Sequence, residues 1–557
     1  MQASHYVIIM SLFLTTLFFS LFITIALVPL FTKLATRLHF VDVPEGRKVH
    51  QKPVPRVGGA AMALGVFVTA LAFFPKNDFV LPFLAGMGTI VLFGLLDDIK
   101  GLGYRSKFAG QIAAALIIIV FGKVRIVTLG DIIPAHLCLT ELASFVLTFL
   151  VIIGVTNAIN LADGLDGLAG GICFMAFCCI AYLAYKTGMT SVFFFSVSIV
   201  GVLLGFLRFN TYPATVFMGD TGSQLLGYSG IVLAIKLTQE SPGLSPVLPL
   251  FFFGLPILDT LSVMVQRMVE GKSPFIADNN HMHHKLMRLG LSHTEAVFSI
   301  YLAQSLLIIL GLFFRSWSDL FLFMIFLLFS AFILAGFTVS ERHGYTIKRF
   351  DIIDNYLKAK VIRLKRKGIL IRICFFLLKL TFPILLVFSV FLPASIPQNL
   401  AYIAGAAIVL VGLSLVFRNL KTGPAVRMSI YFIGPFIIYF GQVHMAGWLT
   451  HTYSVAYDFS FLFLAFLSIA TLKLTRRKKG FKFSTMDFLI LVILLVVLIL
   501  PDKQVRSHHL GMLASKIVIL FFSFEILVGE MRGKWGGLAL TVLIFSLTTT
   551  ARALNLF

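Results

Sequence analysis

Long apolar runs alternate with short polar segments along the whole chain, and this alternation predicts membrane-spanning helices. A bilayer span needs ~20 mostly apolar residues, and we expect about 11 such spans in the first part of the chain and about seven in the last. The first set is predicted at 7–32, 58–75, 80–96, 108–121, 142–156, 167–185, 190–207, 222–238, 246–265, 296–314 and 319–339. The second set is predicted at 373–392, 399–417, 428–441, 456–474, 485–500, 511–528 and 535–548. The predicted fold class is therefore an all-α, polytopic helical membrane protein.

Composition supports this class and excludes a large soluble domain. The chain is 59% hydrophobic and 13% charged, whereas soluble domains carry about 25% charged residues. The net charge of +22 does not indicate nucleic-acid binding, because Lys and Arg of membrane proteins collect in cytoplasmic loops. The expected partners are the lipid bilayer and anionic substrates, and no nucleic acid. The five Cys lie in or beside apolar runs without a C-x-x-C motif and are interpreted as packing residues.

The distribution of basic residues predicts the orientation and the domain boundaries. No Lys or Arg precedes Lys33, so the first apolar run is expected to be an uncleaved span with its N-terminus outside. Segment 342–372 carries ten Lys and Arg, and an odd number of preceding spans places it in the cytoplasm. We predict a polytopic domain at 1–341, a basic linker or interfacial helix at 342–372, and a second membrane domain of unknown function at 373–557.

Five polar clusters fall at predicted cytoplasmic ends of the spans, and the first two combine phosphate-binding and acidic groups. In HQKPVPRVGG (50–59), Lys52 and Arg56 are suited to phosphate; a basic loop without a ligand is the alternative. In LLDDIK, Asp97 and Asp98 end a span, and Lys107 follows. Adjacent acids near lipid need a compensating cation, or they form a solvated helix end.

The third cluster is NAINLADGLDGLAG (157–170), between two apolar runs. Asn157, Asn160, Asp163 and Asp166 recur every three residues, and such residues are neighbours on a helix. We expect Gly164 and the following glycine to bend or break the helix and to bring the four side chains together. Ionisable residues at membrane depth are functional candidates because burying them is costly.

The last two clusters supply another acid and a group of histidines. In FMGDTGS, Asp220 precedes a span between glycines; it is a candidate Mg²⁺ ligand, and a helix cap is the alternative. His281, His283 and His284 follow a P-I-L-D-T motif at 256–260. Their spacing does not match H-E-x-x-H, so phosphate or sugar binding is favoured over zinc. A solvated basic loop is the alternative.

Together the clusters predict one site at the cytoplasmic membrane face, with acids for a metal and basic groups for phosphates. Two functions fit such a site: transfer of a phosphorylated group by an enzyme, and, as the alternative, a polytopic transporter or flippase of lipid-linked sugars. Transporters often contain internal repeats and polar residues near the midplane. The sequence has no visible repeat and its acids lie at one face, which favours the transferase.

The order of these motifs resembles the bacterial polyprenyl-phosphate N-acetylhexosamine-1-phosphate transferases of glycosyltransferase family 4. HQKPVPRVGG, LLDDIK, NAINLADGLDGLAGG, FMGDTGS and the H-x-H-H loop occur in that order over about residues 1–345. P-R-V-G-G and H-M-H-H are similar to the branch that starts O-antigen and teichoic-acid linkage synthesis, and differ from the related peptidoglycan translocases. Residues 373–557 exceed the usual length of the family, and the resemblance does not explain them.

The resemblance implies that GlcNAc-1-phosphate, or another N-acetylhexosamine-1-phosphate, moves from a UDP-sugar to undecaprenyl phosphate with release of UMP. It implies Mg²⁺ as cofactor, with Mn²⁺ as the alternative, and a multi-pass protein of the bacterial inner membrane with a cytoplasmic active site. A second copy of the chain, in a homodimer, is a further candidate partner, and the sequence does not determine the oligomeric state. Asp220 and Asn157 are then candidate metal ligands. The expected catalytic residues are Asp97, Asp98, Asp163, Asp166, His281, His283 and His284. The expected phosphate- and nucleotide-binding residues are Lys52, Arg56, Lys107, Asn157 and Asn160.

Overall fold

The computed structural model describes most of the chain. The described residues are 2–38, 41–42, 53–74, 77–101, 103–133, 139–273, 280–345, 369–417, 422–443, 451–474, 487, 489–491, 493–494, 510–531 and 535–556. They form two compact units by their internal contacts, the first comprising 1–348 and 484–493, the second 349–483 and 494–557. The basic segment 342–372 and the predicted span 485–500 lie largely outside the described residues.

The first unit is a bundle of helices. Its helices are α1 Gln2–Arg37, α2 Gly58–Phe73, α3 Val80–Lys100, α4 Tyr104–Val120, α5 Glu141–Ala162, α6 Leu168–Thr187, α7 Thr190–Asn210, α8 Gly219–Glu240, α9 Leu248–Phe252, α10 Gly254–Val269, α11 Met282–Arg288, α12 His293–Phe313 and α13 Asp319–Arg342. A 3₁₀ turn covers Gly130–Ile132. Strands β1 (Val41–Asp42) and β2 (Val54–Pro55) form a small antiparallel pair in the first loop.

The all-α polytopic fold class predicted from the sequence is confirmed. Thirteen helices in the described part of the chain are long and apolar enough to cross a membrane. Polar side chains mark several helix ends, as helix capping requires. Ser292 and Glu295 form a reciprocal capping box at the start of α12, and Ser318 accepts a hydrogen bond from the backbone N–H of Phe321 at the start of α13.

The predicted single span at 246–265 is wrong, because two helices cover this region. The short α9 ends at Phe252, and α10 begins at Gly254. Pro256 lies in the first turn of α10, where a residue without a backbone N–H is tolerated. A Cβ on Gly254 would lie 2.3 Å from the Leu307 side chain, so glycine at this position lets the chain pass close to α12.

Helix α8 lies at the centre of the site region, and α2, α3 and α5 pack against it. The contacts with α2 and α3 are made through glycine. A Cβ on Gly59 of α2 would lie 2.2 Å from the backbone nitrogen of Gly222, and one on Gly94 of α3 would lie 2.6 Å from Cα of Thr221. Small residues at such crossings allow helices in membranes to pack closely, and here they bring polar ends of several helices together.

The second unit has its own apolar core and separate charged contacts. Its helices are α14 Ile369–Ser389, α15 Gln398–Val416, α16 Thr422–Val443, α17 His451–Leu474, α18 Leu510–Met531 and α19 Gly536–Ala553. Arg427 binds the Glu525 carboxylate through two nitrogens at 2.8 and 3.0 Å. Lys516, 3% exposed at its side chain, lies 2.6 Å from Asp458. All six helices are candidate spans.

Candidate active site

The N-terminus of α8 is capped by a carboxylate from another helix. Asp98, near the end of α3, accepts hydrogen bonds from the backbone N–H groups of Asp220 and Thr221 at 2.9 and 3.0 Å. It also accepts one from the Thr221 hydroxyl at 2.6 Å. These contacts satisfy donors that a helix start leaves unpaired, and the negative charge is favourable at a helix N-terminus. Asp98 therefore orients the first turn of α8.

The neighbouring Asp97 and Asp220 share one ammonium group. Lys107 of α4 lies 2.9 Å from the Asp97 carboxylate and also donates to Asp220. Asp97 is 8% exposed, and its Oδ1 has no hydrogen-bond partner among the described residues. Two neighbouring carboxylates repel each other unless a cation lies between them. The pair formed by Asp97 and Asp220 therefore requires a positive charge beside it.

The two asparagines predicted as site residues lie on the last turns of α5 and face α4 and α8. Asn160 donates to Asp220 Oδ1 at 3.3 Å and to the Ser223 hydroxyl at 2.7 Å. Asn157 and Gln111 exchange amide hydrogen bonds at 2.7 and 3.2 Å. Gln111 also donates to Gln224 at 3.2 Å. Asp97, Asp98 and Asp220 are called the acidic group below. Asn160 contacts this group directly, whereas the Asn157 oxygen accepts from Gln111.

The glycine-rich turn after α5 presents two further acids, as the break at Gly164 predicted. The helix ends at Ala162, and Gly167, with φ +81°, begins α6. The Asp166 carboxylate accepts from the backbone N–H of Ala214 at 2.9 Å. Gly167 N–H donates to Asn210 at 3.0 Å, and its carbonyl accepts from the Tyr301 hydroxyl at 2.6 Å. These contacts fix the turn that carries Asp163 and Asp166.

The environment of Asp163 favours its neutral form. Its side chain is half-buried, and desolvation is the largest cause of a pKa raised to about 7, followed by the charges of Asp220, Asp166 and Asp98. The nearby Arg56 acts in the opposite direction and lowers the pKa. Asp163 is thus close enough to the other acids to interact with them electrostatically.

The first loop is docked on the segment that precedes α8. Gly58 and Gly59 donate their backbone N–H groups to the carbonyls of Phe217 and Met218, both at 2.9 Å. The Phe217 N–H in turn donates to the Pro55 carbonyl at 2.9 Å. The exposed Arg56 is therefore held beside the acidic group. Lys52, predicted to bind phosphate, lies outside the described residues.

The segment 281–284, called the His segment below, lies against the glycine-rich turn. His283 is buried, and a Cβ on Gly164 would lie 2.4 Å from its Nε2. Burial, followed by the charges of His284 and His281, lowers the pKa of His283 to about 3, so its ring is neutral at pH 7. The His283 and His284 rings are 4.2 Å apart. His281 is paired with Asp259 at 2.9 Å.

Several residues of this region were not predicted as part of the site. Gln224 and Tyr301 lie inside apolar helices, where sequence alone does not show which face they occupy. Asp259 stands in the P-I-L-D-T motif, and only the fold shows its contact with the His segment. His293 accepts from the backbone N–H of Asp166 at 3.1 Å; its place beside the glycine-rich turn has no local sequence signal.

The chemistry of the acidic group fits a magnesium ion. The described residues contain no group of three or more His, Cys, Asp or Glu side chains placed to hold a metal by themselves. Magnesium, however, is bound through one or two carboxylates, waters and substrate phosphates rather than by an all-protein cage. Asp97, with an unpaired buried oxygen, and Asp220 are carboxylates of the kind that could supply such ligands, and metal binding by Asp220 stays a prediction. The role of Asn157 as a ligand stays a prediction.

This arrangement of acids and basic groups at one end of a helical membrane bundle agrees with a family assignment. The family model "Glycosyl transferase family 4" matches residues 80–238, a range that contains Asp97, Lys107, Asp163 and Asp220. Together with the relatives below, this match shows that the chain belongs to glycosyl transferase family 4.

Three curated relatives show how much of the chain the family covers. A Bacillus subtilis (strain 168) protein named "Probable undecaprenyl-phosphate N-acetylglucosaminyl 1-phosphate transferase" is 34% identical over 349 residues, which are 62% of this chain and 96% of the relative. The Escherichia coli (strain K12) undecaprenyl-phosphate alpha-N-acetylglucosaminyl 1-phosphate transferase is 31% identical, over 60% of this chain and 90% of its own length. The Mycolicibacterium smegmatis decaprenyl-phosphate N-acetylglucosaminephosphotransferase is 36% identical over 48% and 74%, respectively.

Proposed function

We propose that this protein transfers GlcNAc-1-phosphate from UDP-GlcNAc to undecaprenyl phosphate and releases UMP. The contact of Lys107 with both Asp97 and Asp220 carries the proposal, since a carboxylate pair that needs a cation suits a diphosphate substrate with a divalent metal. The names of the relatives supply the lipid and the sugar. The site lies at the cytoplasmic face of the bacterial inner membrane, and the product starts a cell-envelope polysaccharide.

The reaction exchanges one diphosphate for another. An oxygen of the lipid phosphate attacks the β-phosphorus of UDP-GlcNAc, and the bond between that phosphorus and the bridging oxygen breaks, so UMP leaves with the electron pair. The phosphate nucleophile is already ionised near neutral pH and scarcely needs a general base. The protein mainly has to align two anions and offset their charge.

The residues divide this work according to their contacts. Asp97 and Asp220 would hold Mg²⁺, or Mn²⁺ in its place, and the ion would supply positive charge against the diphosphate. Lys107 and Arg56 bind phosphate oxygens. Asp98 holds the first turn of α8, and with it Asp220, in position. The glycine-rich turn and the His segment complete the site.

The glycine-rich turn and the His segment bind the nucleotide sugar in this proposal. Asp163 and Asp166 lie on a turn fixed by backbone hydrogen bonds, which suits recognition of a nucleoside. His283 is neutral because burial lowers its pKa to about 3, so it makes hydrogen bonds without adding charge. His281 and His284 lie beside it and contact the sugar or the diphosphate.

A defined assay tests the proposal and separates it from transport. Purified protein is supplied with undecaprenyl phosphate, Mg²⁺ and a panel of UDP-sugars, and UMP and the mass of the lipid product are measured. UMP and lipid-linked GlcNAc diphosphate are expected with UDP-GlcNAc, and a chelator should stop the reaction. Uptake of substrate into vesicles without UMP from any UDP-sugar would instead support a transporter or flippase.

A further inference from the structure

A buried carboxylate links α10 to the His segment. Asp259 is 8% exposed and His281 is 7% exposed. Oδ2 of Asp259 lies 2.9 Å from Nδ1 of His281, and Oδ1 accepts from the backbone N–H of Met282 at 2.8 Å. Both oxygens therefore contact consecutive residues at the start of α11. The proposed phosphoryl transfer gives this carboxylate no direct part.

The contact determines which nitrogen of His281 is left for a ligand. An ionised carboxylate only accepts hydrogen bonds, so Nδ1 of His281 has to carry a proton. In the neutral ring, Nε2 is then an acceptor, and in the imidazolium it is a donor. In both states Nε2 is the nitrogen that can meet a substrate, and the ring orientation is fixed by Asp259.

The position of the pair connects it with the rest of the site. The rings of His281 and His283 are nearly parallel, with 4° between their planes and 5.9 Å between their centroids. His283 also contacts Gly164 of the glycine-rich turn. Helix α10, which carries Asp259, packs against α5, the helix of Asn157 and Asn160. Asp259 thus connects the His segment to α10, and α10 packs against the helix whose Asn160 contacts the acidic group.

We propose that Asp259 is a positioning residue that keeps His281 protonated at Nδ1 and presents Nε2 to the diphosphate sugar. This inference rests on the proposed transferase function and adds to it a residue that acts through His281. Carboxylate partners of this kind fix the tautomer and the orientation of histidines that bind metals, where losing them typically costs about 10- to 100-fold in metal affinity or activity. We expect a loss of similar size for a histidine that meets a diphosphate.

The variant Asp259→Asn separates positioning from folding. Asparagine keeps Oδ1 for the Met282 N–H and nearly the same shape, but its amide N–H faces Nδ1 and favours the opposite tautomer. We expect kcat for UMP release to fall about 10- to 100-fold. The matched control is Glu270→Gln, at the solvent-exposed end of the same helix. Glu270 pairs with Lys272 at 2.7 Å there, and the variant should keep wild-type kinetics. Wild-type kcat in Asp259→Asn would overturn the inference.

A double-mutant cycle tests whether Asp259 acts through His281. In a His281→Gln background, Asp259→Asn should cause no additional loss of kcat, because the group it positions is already absent. An equal fold-loss in both backgrounds would mean that Asp259 only supports the fold, and would refute the positioning role.

A spectroscopic measurement addresses the tautomer without any substrate. Protein labelled with ¹⁵N-histidine is examined by NMR in alkaline buffer, and the His281 signals are assigned by their loss in His281→Gln. The wild type should show the Nδ1–H tautomer and Asp259→Asn the Nε2–H tautomer; the Nε2–H tautomer in the wild type would contradict the inference. This readout is independent of turnover, so a protein that releases no UMP would disprove the proposed function alone.

Discussion

Five aspartates lie around the start of α8 and the 163–167 turn, and each has a different environment. Asp98 accepts three hydrogen bonds from the first turn of α8, whereas Asp97 keeps one buried oxygen unpaired. Asp220 is bonded to Lys107 and Asn160. The same side-chain type can therefore position a helix, bind a cation or hold a turn, depending on the neighbouring donors.

The sequence predicted which polar residues the fold brings near one another better than it predicted what each of them does. Asp97, Asp163 and Asp220 were identifiable because acids beside apolar runs are costly unless they have partners. The partners themselves come from other helices, as Lys107 and Asp98 show, and a one-dimensional pattern does not give distances between helices. For the same reason Asp259 was seen as part of a motif but not as the partner of His281.

The first prediction concerns Asp220. Asp220→Asn keeps the side-chain shape but removes a charge from the proposed metal site and from the pairing with Lys107. UMP release should fall by about 100-fold or more, while the protein still inserts and elutes as a single species in gel filtration. Asp78→Asn, at an exposed acid in the loop before α3, is the control. Wild-type turnover in Asp220→Asn would refute the metal role.

The second prediction concerns the pH dependence caused by Asp163. Its pKa is raised from 3.8 to about 7 in the folded protein. Between these two pH values the folded protein keeps a proton that the unfolded chain has already lost. The stability from this group is complete below 3.8 and is lost as pH rises through about 7. Asparagine is always neutral and avoids that loss.

The measurement is thermal unfolding in detergent with a chelator present. Asp163→Asn should raise Tm relative to the wild type, and the gain should be larger at about pH 8 than at about pH 5. The exposed-acid variant Asp78→Asn should show no such trend. A gain that is the same at both pH values would disagree with the raised pKa of Asp163.

At the scale of elements, α8 is the helix on which the site depends. Close crossings with α2 and α3 place the ends of these helices within hydrogen-bond distance of its first turn. The apolar pattern predicted the helices of the first unit well, since each needs one continuous apolar run. It did not predict the break between α9 and α10, because the run through Phe252 and Gly254 remains apolar on both sides of the break.

The third prediction tests the α3–α8 crossing with a matched pair of variants on one helix. A Cβ at Gly94 would lie 2.6 Å from the Thr221 backbone, whereas the nearest atom to a Cβ at Gly88 is a Phe67 ring carbon at 3.5 Å. Gly94→Ala should destabilise the protein by about 1–3 kcal/mol and reduce UMP release, since Asp98 would move away from Thr221. Gly88→Ala should do neither. Equal behaviour of the two variants would show that close packing at Gly94 is not required.

At the scale of the whole molecule, the two units differ in what can be concluded from the sequence. All described site residues lie in the first unit. The Bacillus subtilis relative is covered over 96% of its length by 62% of this chain, so a protein of about that extent forms a complete family member. The second unit has a separate core and its own ion pairs, and no motif in the sequence indicates what it does.

The fourth prediction follows from this division. A chain ending after residue 345 should release UMP at a rate similar to that of the full chain in detergent, because it retains every described residue of the site. The comparison is made at equal concentrations of purified, monodisperse protein. Loss of UMP release by a truncated protein that is still folded would show that residues after 345, which include 484–493 of the first unit, take part in catalysis.

The central claim is that a phosphoryl-sugar, and not the sugar alone, moves to the lipid. UDP-GlcNAc labelled with ³²P at the β-phosphorus distinguishes the two reactions when it is incubated with the protein, undecaprenyl phosphate and Mg²⁺. The predicted result is label in the lipid fraction with one unlabelled UMP released for each labelled lipid. Label that leaves as UDP, or that stays in UDP-GlcNAc while no UMP forms, would contradict the account.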